Sequence, residues 1–175
     1  MALSLVGSPA PGFCMASTKS PDLDQPVSLH DYRGRWLVLV FYPADFTFVC
    51  PTEMLAFSQA APQFETEQAS LLGISSDGVH CHEAWQEFVL GRLAFPLAAD
   101  PTLKVCRDYG VLIEDEGVAQ RALFIVDPDG TVRYQVVHDD DVGRSVDESL
   151  RVLRALRAKV SVPVDWQPGK ATLAR

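Results

Sequence analysis

An unbroken apolar run, WLVLVFY, occupies residues 36–42 of the chain. Its aromatic and β-branched side chains and its length predict a central strand that is buried on both faces. A helix is predicted to follow over about residues 51–67, and a second apolar strand over about residues 70–75. These three segments together predict a β-α-β unit.

Two helices and a hairpin are predicted in the next part of the chain. The helices span about residues 79–90 and 101–109, and Gly110 ends the second one as its C′ residue. Residues 122–126 are apolar, DPDG at residues 127–130 is a turn sequence, and the following TVRYQVV alternates in polarity. This pattern is typical of two antiparallel strands joined by a tight turn.

The last predicted helix covers about residues 145–159. Its apolar side chains Val146, Leu150, Leu153 and Leu156 recur at helical spacing and therefore share one face. Strands and helices thus alternate along most of the chain, which is the pattern of an α/β fold with helices flanking a central sheet.

Length and composition predict one compact domain. The chain has 175 residues, 47% of them hydrophobic, which is enough for a full core, and no Gly/Ser-rich linker divides it. We therefore expect a single domain over residues 1–160, followed by a C-terminal arm over residues 161–175.

The formal net charge of −8 argues against nucleic acids and anionic membranes as partners, because phosphate groups require a basic surface. No apolar stretch approaches the roughly 18 residues that cross a bilayer. The N-terminal segment MALSLVGSPAPGF has no charged n-region and no sustained apolar core, so a cytoplasmic protein is predicted. The four cysteines lack C-x-x-C spacing, which favours reduced thiols over a zinc knuckle or a disulfide framework.

The segment FYPADFTFVCPTE, residues 41–53, contains the main candidate for chemistry. Cys50 stands directly before Pro51, a residue suited to the first helical position, and Glu53 follows three residues later as in a capping box. This arrangement predicts that Cys50 is the N-cap residue of a helix. The free amide groups and the positive end of the helix dipole there favour a reactive thiolate.

Two further residues of this segment are close enough in sequence to surround the sulfur. Thr47 is predicted to hydrogen-bond either the thiolate or an incoming oxygen, and Pro43 to hold the loop rigid and shield the sulfur from water. A single cysteine after an apolar strand is more often a packing residue. The combination of these residues with Pro51 and Glu53 favours a nucleophile instead.

The pattern Pro-x-x-x-Thr-x-x-Cys resembles the active-site signature of the peroxiredoxins. The Val-Cys-Pro-Thr-Glu form resembles the alkyl hydroperoxide reductase C subfamily with its typical two-cysteine relatives. Five further blocks resemble the family in the family's order: VGSPAPGF, SSDGVHCHEAW, FPLAADPTLKVCRDYGVL, EGVAQRALFIVDPDGTVR and GRSVDESLRVLRAL. The resemblance covers essentially the whole chain and implies a thioredoxin-like fold with a central mixed β-sheet.

The resemblance also implies roles for two arginines. Arg121 matches the arginine that the family places beside its reactive cysteine, and we expect it at a parallel sheet edge that faces the Cys50 loop. Its guanidinium group would hold the thiolate and a peroxide oxygen together. Arg144 resembles a second family arginine that pairs with the glutamate matched by Glu53. A helix cap formed by Ser145 and Glu148 is a rival role for the segment around Arg144.

The implied reaction is the reduction of hydrogen peroxide and organic hydroperoxides. The Cys50 thiolate attacks one peroxide oxygen and becomes a sulfenic acid. No metal and no organic cofactor are expected, because the four histidines form no persuasive ligand pattern. The HCH cluster at residues 80–82 is expected at an exposed helix start.

The step after oxidation differs from that of the typical two-cysteine relatives. Their resolving cysteine precedes a proline in the C-terminal arm, and alignment on Pro163 and Trp166 places Val162 at that position. Cys81 could resolve the sulfenic acid within the chain if its Cα atom approached that of Cys50 to about 4.4–6.8 Å. An external thiol from a small molecule or a reductase such as thioredoxin is the alternative that we favour.

The other two cysteines, Cys14 and Cys106, are predicted to be packing residues. The resemblance further implies a homodimer that can form a ring of dimers, with Phe46, Phe48 and Trp85 in either an interface or the core. Because the chain ends at Arg175 without the extra C-terminal helix of many eukaryotic-type relatives, a comparatively robust enzyme is expected. A peroxide sensor or a holdase chaperone that uses the same cysteine is the alternative function.

Overall fold

The computed structural model describes residues 4–20 and 22–173. The chain divides between Arg144 and Ser145 into two compact units. This boundary precedes the last helix, whereas the predicted arm begins at residue 161. The outer ends of the predicted domain and arm, residues 1–3 and 174–175, lie outside the described residues.

The first unit holds all of the described strands. In chain order they are β1 Cys14–Met15, β2 Val27–Ser28, β3 Trp36–Phe41, β4 Ala69–Ser75, β5 Leu97–Ala99, β6 Leu112–Ile113, β7 Val118–Ala119, β8 Arg121–Val126 and β9 Val132–His138. Its helices are α1 Val49–Thr66, α2 Val79–Trp85 and α3 Lys104–Asp108, with a 3-10 helix at Leu29–Tyr32 and a π-helix at Gln86–Leu90. The helix α4 Val146–Arg157 belongs to the second unit.

The main sheet has five strands in the order β5-β4-β3-β8-β9. Strands β3, β4 and β5 are parallel, whereas β8 runs antiparallel to both β3 and β9. This is the mixed sheet of a thioredoxin-like α/β fold, as predicted. Phe41, the last residue of β3, is level with Ile74 of β4 and with Ala122 of β8. The carboxyl ends of β3 and β4 and the amino end of β8 therefore meet at one edge of the sheet.

The predicted helices and the hairpin agree with the structure to within a few residues. The predicted helix at 79–90 is α2 continued by the π-helix, and Gly110, with a φ of 68°, follows the end of α3. In the hairpin turn Gly130 has a φ of 81°, which suits a residue without a Cβ atom. Among the described residues, no helix is both long enough and apolar enough to cross a membrane.

The core is built around the apolar run at residues 36–42, which contains β3. All six residues of β3 are buried. The ring of Phe41 lies 5.2 Å from that of Tyr109 and 5.7 Å from that of Phe124, in tilted and edge-on geometries that aromatic pairs favour. This central strand is fixed by its two neighbours and by the aromatic side chains, so the loop at its carboxyl end starts from a rigid point.

The second unit begins with a capped helix. The Ser145 hydroxyl oxygen accepts a hydrogen bond of 3.1 Å from the backbone N–H of Glu148, so the predicted cap is present. Leu150 and Leu153 are buried, whereas Val146 and Leu156 are half-buried. In the arm the indole Nε1–H of Trp166 donates to the carbonyl of Lys170 at 3.0 Å.

Candidate active site

Cys50 lies in the first turn of α1, at the sheet edge where the carboxyl end of β3 meets the amino end of β8. Its side chain is on the inward face of the helix because Cys50, Glu53, Met54 and Phe57 recur at helical spacing and are all buried. The residue is only 1% exposed. The helix therefore begins with a thiol that is enclosed by protein and close to the free amide groups of the first turn.

The predicted capping arrangement is wrong. The helix begins at Val49, so Phe48 is the N-cap residue, and it has a helical backbone with φ −95° and ψ −47°. Cys50 and Pro51 are therefore the second and third residues of the helix, not its N-cap and its first residue. Glu53 does not act as a capping-box residue, because its buried carboxylate is bound by two guanidinium groups, a stronger interaction than a bond to one backbone amide.

Arg121 places a charged group within hydrogen-bonding distance of the thiol. Its Nη1 atom lies 3.5 Å from the sulfur of Cys50 and 2.6 Å from Oε2 of Glu53. The Nε and Nη2 atoms donate to the backbone carbonyl of Asp140 at 3.1 and 2.8 Å. Burial opposes the charge of Arg121, but the bonds to Cys50 and Glu53 prevail and raise its pKa. The guanidinium group is held on three sides and is fully protonated.

The expectation of a parallel sheet edge around Arg121 is wrong in one respect. Strand β8 runs antiparallel to β3, and its second residue, Ala122, is level with Phe41. Because β8 is antiparallel to β3, its amino end lies beside the carboxyl end of β3. Arg121 is the first residue of β8 and therefore reaches the Cys50 loop.

Glu53 joins the two predicted arginines into one buried network. Its Oε1 atom accepts bonds of 2.7 Å from both the backbone N–H and the Nε–H of Arg144, and Oε2 accepts one of 2.8 Å from Nη2. Arg144 also donates to the carbonyls of Phe41 and Ala122. Burial alone would raise the pKa of Glu53, but Arg144 and then Arg121 hold it below its usual value.

The loop between β3 and α1 contains the other two predicted site residues. Pro43 is half-buried and Thr47 is exposed. The hydroxyl of Thr47 donates to the carbonyl of Ala44 at 3.0 Å, so in this structure its proton is used within the loop. Between these residues, Phe46 has a φ of 54°, a left-handed conformation that costs a non-glycine residue about 1–2 kcal/mol. The surrounding contacts must therefore hold the loop in place.

The sequence pattern does not predict a cluster of Tyr42, Asp45, Asp77 and His82, called here the Asp45 cluster. Asp77 is half-buried and the other three residues are buried. His82 is fully buried, not exposed at a helix start, and its Nδ1 atom lies 2.7 Å from Oδ2 of Asp45. The histidine turns inward because it lies on the same face of α2 as Trp85, which is also fully buried. The only hint in the sequence is the helical spacing of these two residues.

All four cysteines are free. Cys106 is fully buried in the core, as predicted, but Cys14 is exposed, contrary to its predicted packing role. In the two-residue strand β1 the side chains alternate, so Met15 faces inward and Cys14 outward. The Cys81 sulfur lies 3.9 Å from Oδ1 of Asp77. Burial, together with the charges of Asp45 and Asp77, raises the pKa of the Cys81 thiol to about 12.

Of the residues suggested for an interface, Trp85 belongs to the core, because it is fully buried. Phe46 and Phe48 are 54% and 95% exposed on the loop that precedes Cys50. Two large apolar side chains therefore face outward next to the candidate site.

Known proteins resemble the chain over nearly its whole length. A protein named as a peroxiredoxin in the rubredoxin operon of Clostridium pasteurianum is 49% identical, with 97% of this chain and 98% of that protein covered. The thioredoxin peroxidase of Echinococcus granulosus is 44% identical, with 97% and 92% covered.

Solved structures and a family model agree with these relatives. The reduced 2-Cys peroxiredoxin of Plasmodium vivax superposes with a TM-score of 0.91 at 35% identity and covers 96% of this chain and 92% of its own. For AhpC of Mycobacterium tuberculosis the TM-score is 0.84 at 35% identity, with 95% and 100% covered. The model of the AhpC/TSA family matches residues 6–135. The chain belongs to the AhpC/TSA family.

Proposed function

We propose that this protein is a peroxiredoxin, a thiol-dependent peroxidase that reduces hydrogen peroxide and organic hydroperoxides through a sulfenic acid on Cys50. The observation that supports this most directly is the 3.5 Å contact between the buried Cys50 sulfur and the Arg121 guanidinium group. A cation fixed beside a thiol stabilises both the thiolate and the negative charge that develops on a peroxide oxygen.

The first step is a nucleophilic substitution at oxygen. The Cys50 thiolate forms an S–O bond with one peroxide oxygen while the O–O bond breaks, and the departing oxygen takes up a proton to leave as water or an alcohol. The sulfur is oxidised by two electrons and the peroxide is reduced by two. The product on the protein is the Cys50 sulfenic acid.

Each predicted site residue has a part in this proposal. Arg121 stabilises the thiolate and the departing oxygen, and Glu53 with Arg144 fixes the orientation of Arg121. Pro43 restricts the loop and keeps water from the sulfur. Thr47 would have to turn its hydroxyl from the Ala44 carbonyl towards the peroxide when substrate binds.

For the second step we propose that an external thiol reduces the sulfenic acid. The thiol displaces water to form a mixed disulfide with Cys50, and a second thiol then releases the free cysteine and a disulfide. We infer that the chain derives from the AhpC and typical two-cysteine subfamily, with Val162 in place of the resolving cysteine. Cys81 is the less favoured resolver because its raised pKa leaves almost no thiolate at neutral pH.

The physiological partners follow from the same proposal. The reductant is a small thiol or a thioredoxin-like reductase, and the protein works in the reducing cytoplasm, where free cysteines persist. We also propose a homodimer that can assemble into a ring of dimers. The exposed rings of Phe46 and Phe48 support an interface beside the active site.

Turnover tests the proposed activity. With excess thiol donor, the protein should consume many equivalents of hydroperoxide, and the Cys50→Ser variant should consume none above background. Consumption that stops after one equivalent would contradict the enzyme and favour a peroxide sensor or a chaperone with the same cysteine.

Intact mass tests the resolution step separately. One equivalent of peroxide without added thiol should give a gain of about 16 Da, one oxygen atom, and Cys81→Ser should behave like the parent. A loss of about 2 Da that disappears in Cys81→Ser would instead identify Cys81 as the resolving residue.

A further inference from the structure

The Asp45 cluster connects the active-site loop to the rest of the first unit. Asp45 is 6% exposed, and its carboxylate accepts a bond of 2.8 Å from the Tyr42 hydroxyl in addition to the 2.7 Å contact with His82. Its backbone N–H donates to Oδ2 of Asp77 at 2.8 Å. One loop residue is thus held by both its side chain and its main chain.

The partners of Asp45 are themselves fixed. His82 lies on α2, and its other ring nitrogen, Nε2, is 3.3 Å from the carbonyl of Ala98 on β5. Asp77 accepts a second bond, of 3.0 Å, from the Ser75 hydroxyl at the end of β4. Burial and the neighbouring Asp45 raise the pKa of Tyr42, so its hydroxyl remains a donor. The loop is therefore attached to α2, to the end of β4 and, through His82, to β5.

Asp45 lies midway between Pro43 and Thr47 and directly before the strained Phe46. A residue with a positive φ keeps that conformation only when its neighbours hold it. Asp45 is buried, and its bonds to Tyr42, Asp77 and His82 hold the chain directly before Phe46. The position of Thr47, and of the helix start at Val49, therefore depends on how Asp45 is bound.

We propose that Asp45 and His82 are positioning residues for the peroxide reaction, holding the loop from Pro43 to Phe48 closed over Cys50. This inference rests on the proposed function. Neither residue touches the sulfur or the peroxide. Their bonds keep Pro43 and Thr47 in the geometry that the reaction requires, since a displacement of about 1 Å can slow a reaction about 100-fold.

The same bonds limit access to Cys50. The residue is only 1% exposed, which leaves little room for a reactant larger than a peroxide, so a second thiol should approach only when the loop moves away. Weakening the Asp45–His82 bond should therefore have opposite effects on two rates. Oxidation of Cys50 by peroxide becomes slower, and reaction of Cys50 with a bulky reagent becomes faster.

Two substitutions of His82 separate positioning from folding. In His82→Asn the side-chain amide takes the place of Nδ1 and can still donate to Asp45, whereas in His82→Gln the amide takes the place of Nε2 and that bond is lost. His80→Gln is the matched control, because His80 is an exposed histidine two residues earlier on the same helix. For each protein we would measure the rate constant of Cys50 oxidation by hydrogen peroxide under single-turnover conditions.

The second readout is labelling of the reduced proteins by a polyethylene-glycol maleimide, resolved by site. Cys106, which is fully buried in the core, reports global unfolding in the same sample. In His82→Gln we expect oxidation to slow at least about tenfold, Cys50 labelling to accelerate and Cys106 labelling to stay at the parent rate. His82→Asn should restore both Cys50 rates, and His80→Gln should match the parent.

An oxidation rate in His82→Gln equal to that of the parent would overturn the proposal. So would a parallel rise in Cys50 and Cys106 labelling, which would mean a general loss of stability, or a failure of His82→Asn to restore the rates. A parent protein that does not react with peroxide would contradict the proposed function instead. The labelling rates would still decide whether Asp45 and His82 hold the loop.

Discussion

Arg121 places its Nη1 atom 3.5 Å from the sulfur of Cys50, although 71 residues separate the two in the chain. The contact exists because β8 runs antiparallel to β3 and begins where β3 ends. A guanidinium group in this position can act on the thiolate and on an oxygen bound to it at the same time.

Replacement of Arg121 by lysine should slow the oxidation of Cys50 about 100- to 1,000-fold, the usual cost of losing one preorganised donor. Lysine keeps the charge, but it cannot contact the sulfur, Glu53 and the Asp140 carbonyl together. The rate constant with hydrogen peroxide measures this effect. Arg133→Lys is the control, because the exposed Arg133 pairs with Asp127 and not with Cys50 or Glu53, so this variant should react like the parent. Similar rates for Arg121→Lys and the parent would show that the Arg121 guanidinium group does not contribute to the reaction.

Glu53→Gln should lower the free energy of unfolding by about 3–5 kcal/mol, because it leaves two buried guanidinium groups without their counter-charge. The ion pairs from Glu53 to Arg121 and Arg144 are 2.6 and 2.7 Å long, and all three side chains are at most 3% exposed. Urea unfolding at neutral pH measures the change. In Glu148→Gln, which breaks a partly exposed pair with Arg151, the loss should stay below about 1 kcal/mol. Equal losses of unfolding free energy in the two variants would show that burial does not increase the contribution of the Glu53 ion pairs to stability.

The stabilisation by Glu53 should depend on pH in one direction. The pKa of Glu53 in the folded chain is lowered, so the folded state binds fewer protons there than the unfolded state, in which glutamate titrates near about 4.3. The contribution is complete above that value and is lost as the pH falls through the lower pKa of the folded state. The stability difference between the parent and Glu53→Gln should therefore shrink below about pH 4. A difference that stays constant down to pH 3 would show that the charge is not responsible.

Val162→Cys should restore the resolution step that the proposed function assigns to the ancestors of this chain. Val162 is half-buried in the arm and stands directly before Pro163. If the arm reaches a partner subunit, one equivalent of peroxide should yield a disulfide-linked dimer on a non-reducing gel. The double variant Val162→Cys with Cys50→Ser should remain monomeric on the gel. Absence of a linked dimer in Val162→Cys would contradict the proposed ancestry of the arm.

The sequence predicts the fold well because the buried strands and amphipathic helices have distinct hydrophobic periods. The helix start was less predictable. The residues around Cys50 fit a capping box, but Glu53 is bound by Arg121 and Arg144, which lie 68 and 91 residues further along. A local pattern contains no information about such distant partners. The direction of β8 was unpredictable for the same reason, since strand pairing is decided by tertiary packing.

The pairing of Asp45 with His82 shows the same limit. The two residues are 37 positions apart, and histidine as a residue type is neither mostly buried nor mostly exposed. Its burial follows from the face of α2 on which it lies and from the strand beside that face. The family resemblance, by contrast, pointed to Arg121 and Arg144, because it compares the whole chain with its relatives and so includes residues that are far apart in the sequence.

If Cys50 is the cysteine that peroxide oxidises, chemical trapping will find the sulfenic acid there. The reduced protein would receive one equivalent of hydrogen peroxide in the presence of dimedone, which reacts with sulfenic acids, and the label would be located by peptide mass analysis. We predict a label on Cys50 alone, with none on Cys14, Cys81 or Cys106. A label on another cysteine, or unchanged peroxide consumption by Cys50→Ser, would show that Cys50 is not the residue that reacts with peroxide.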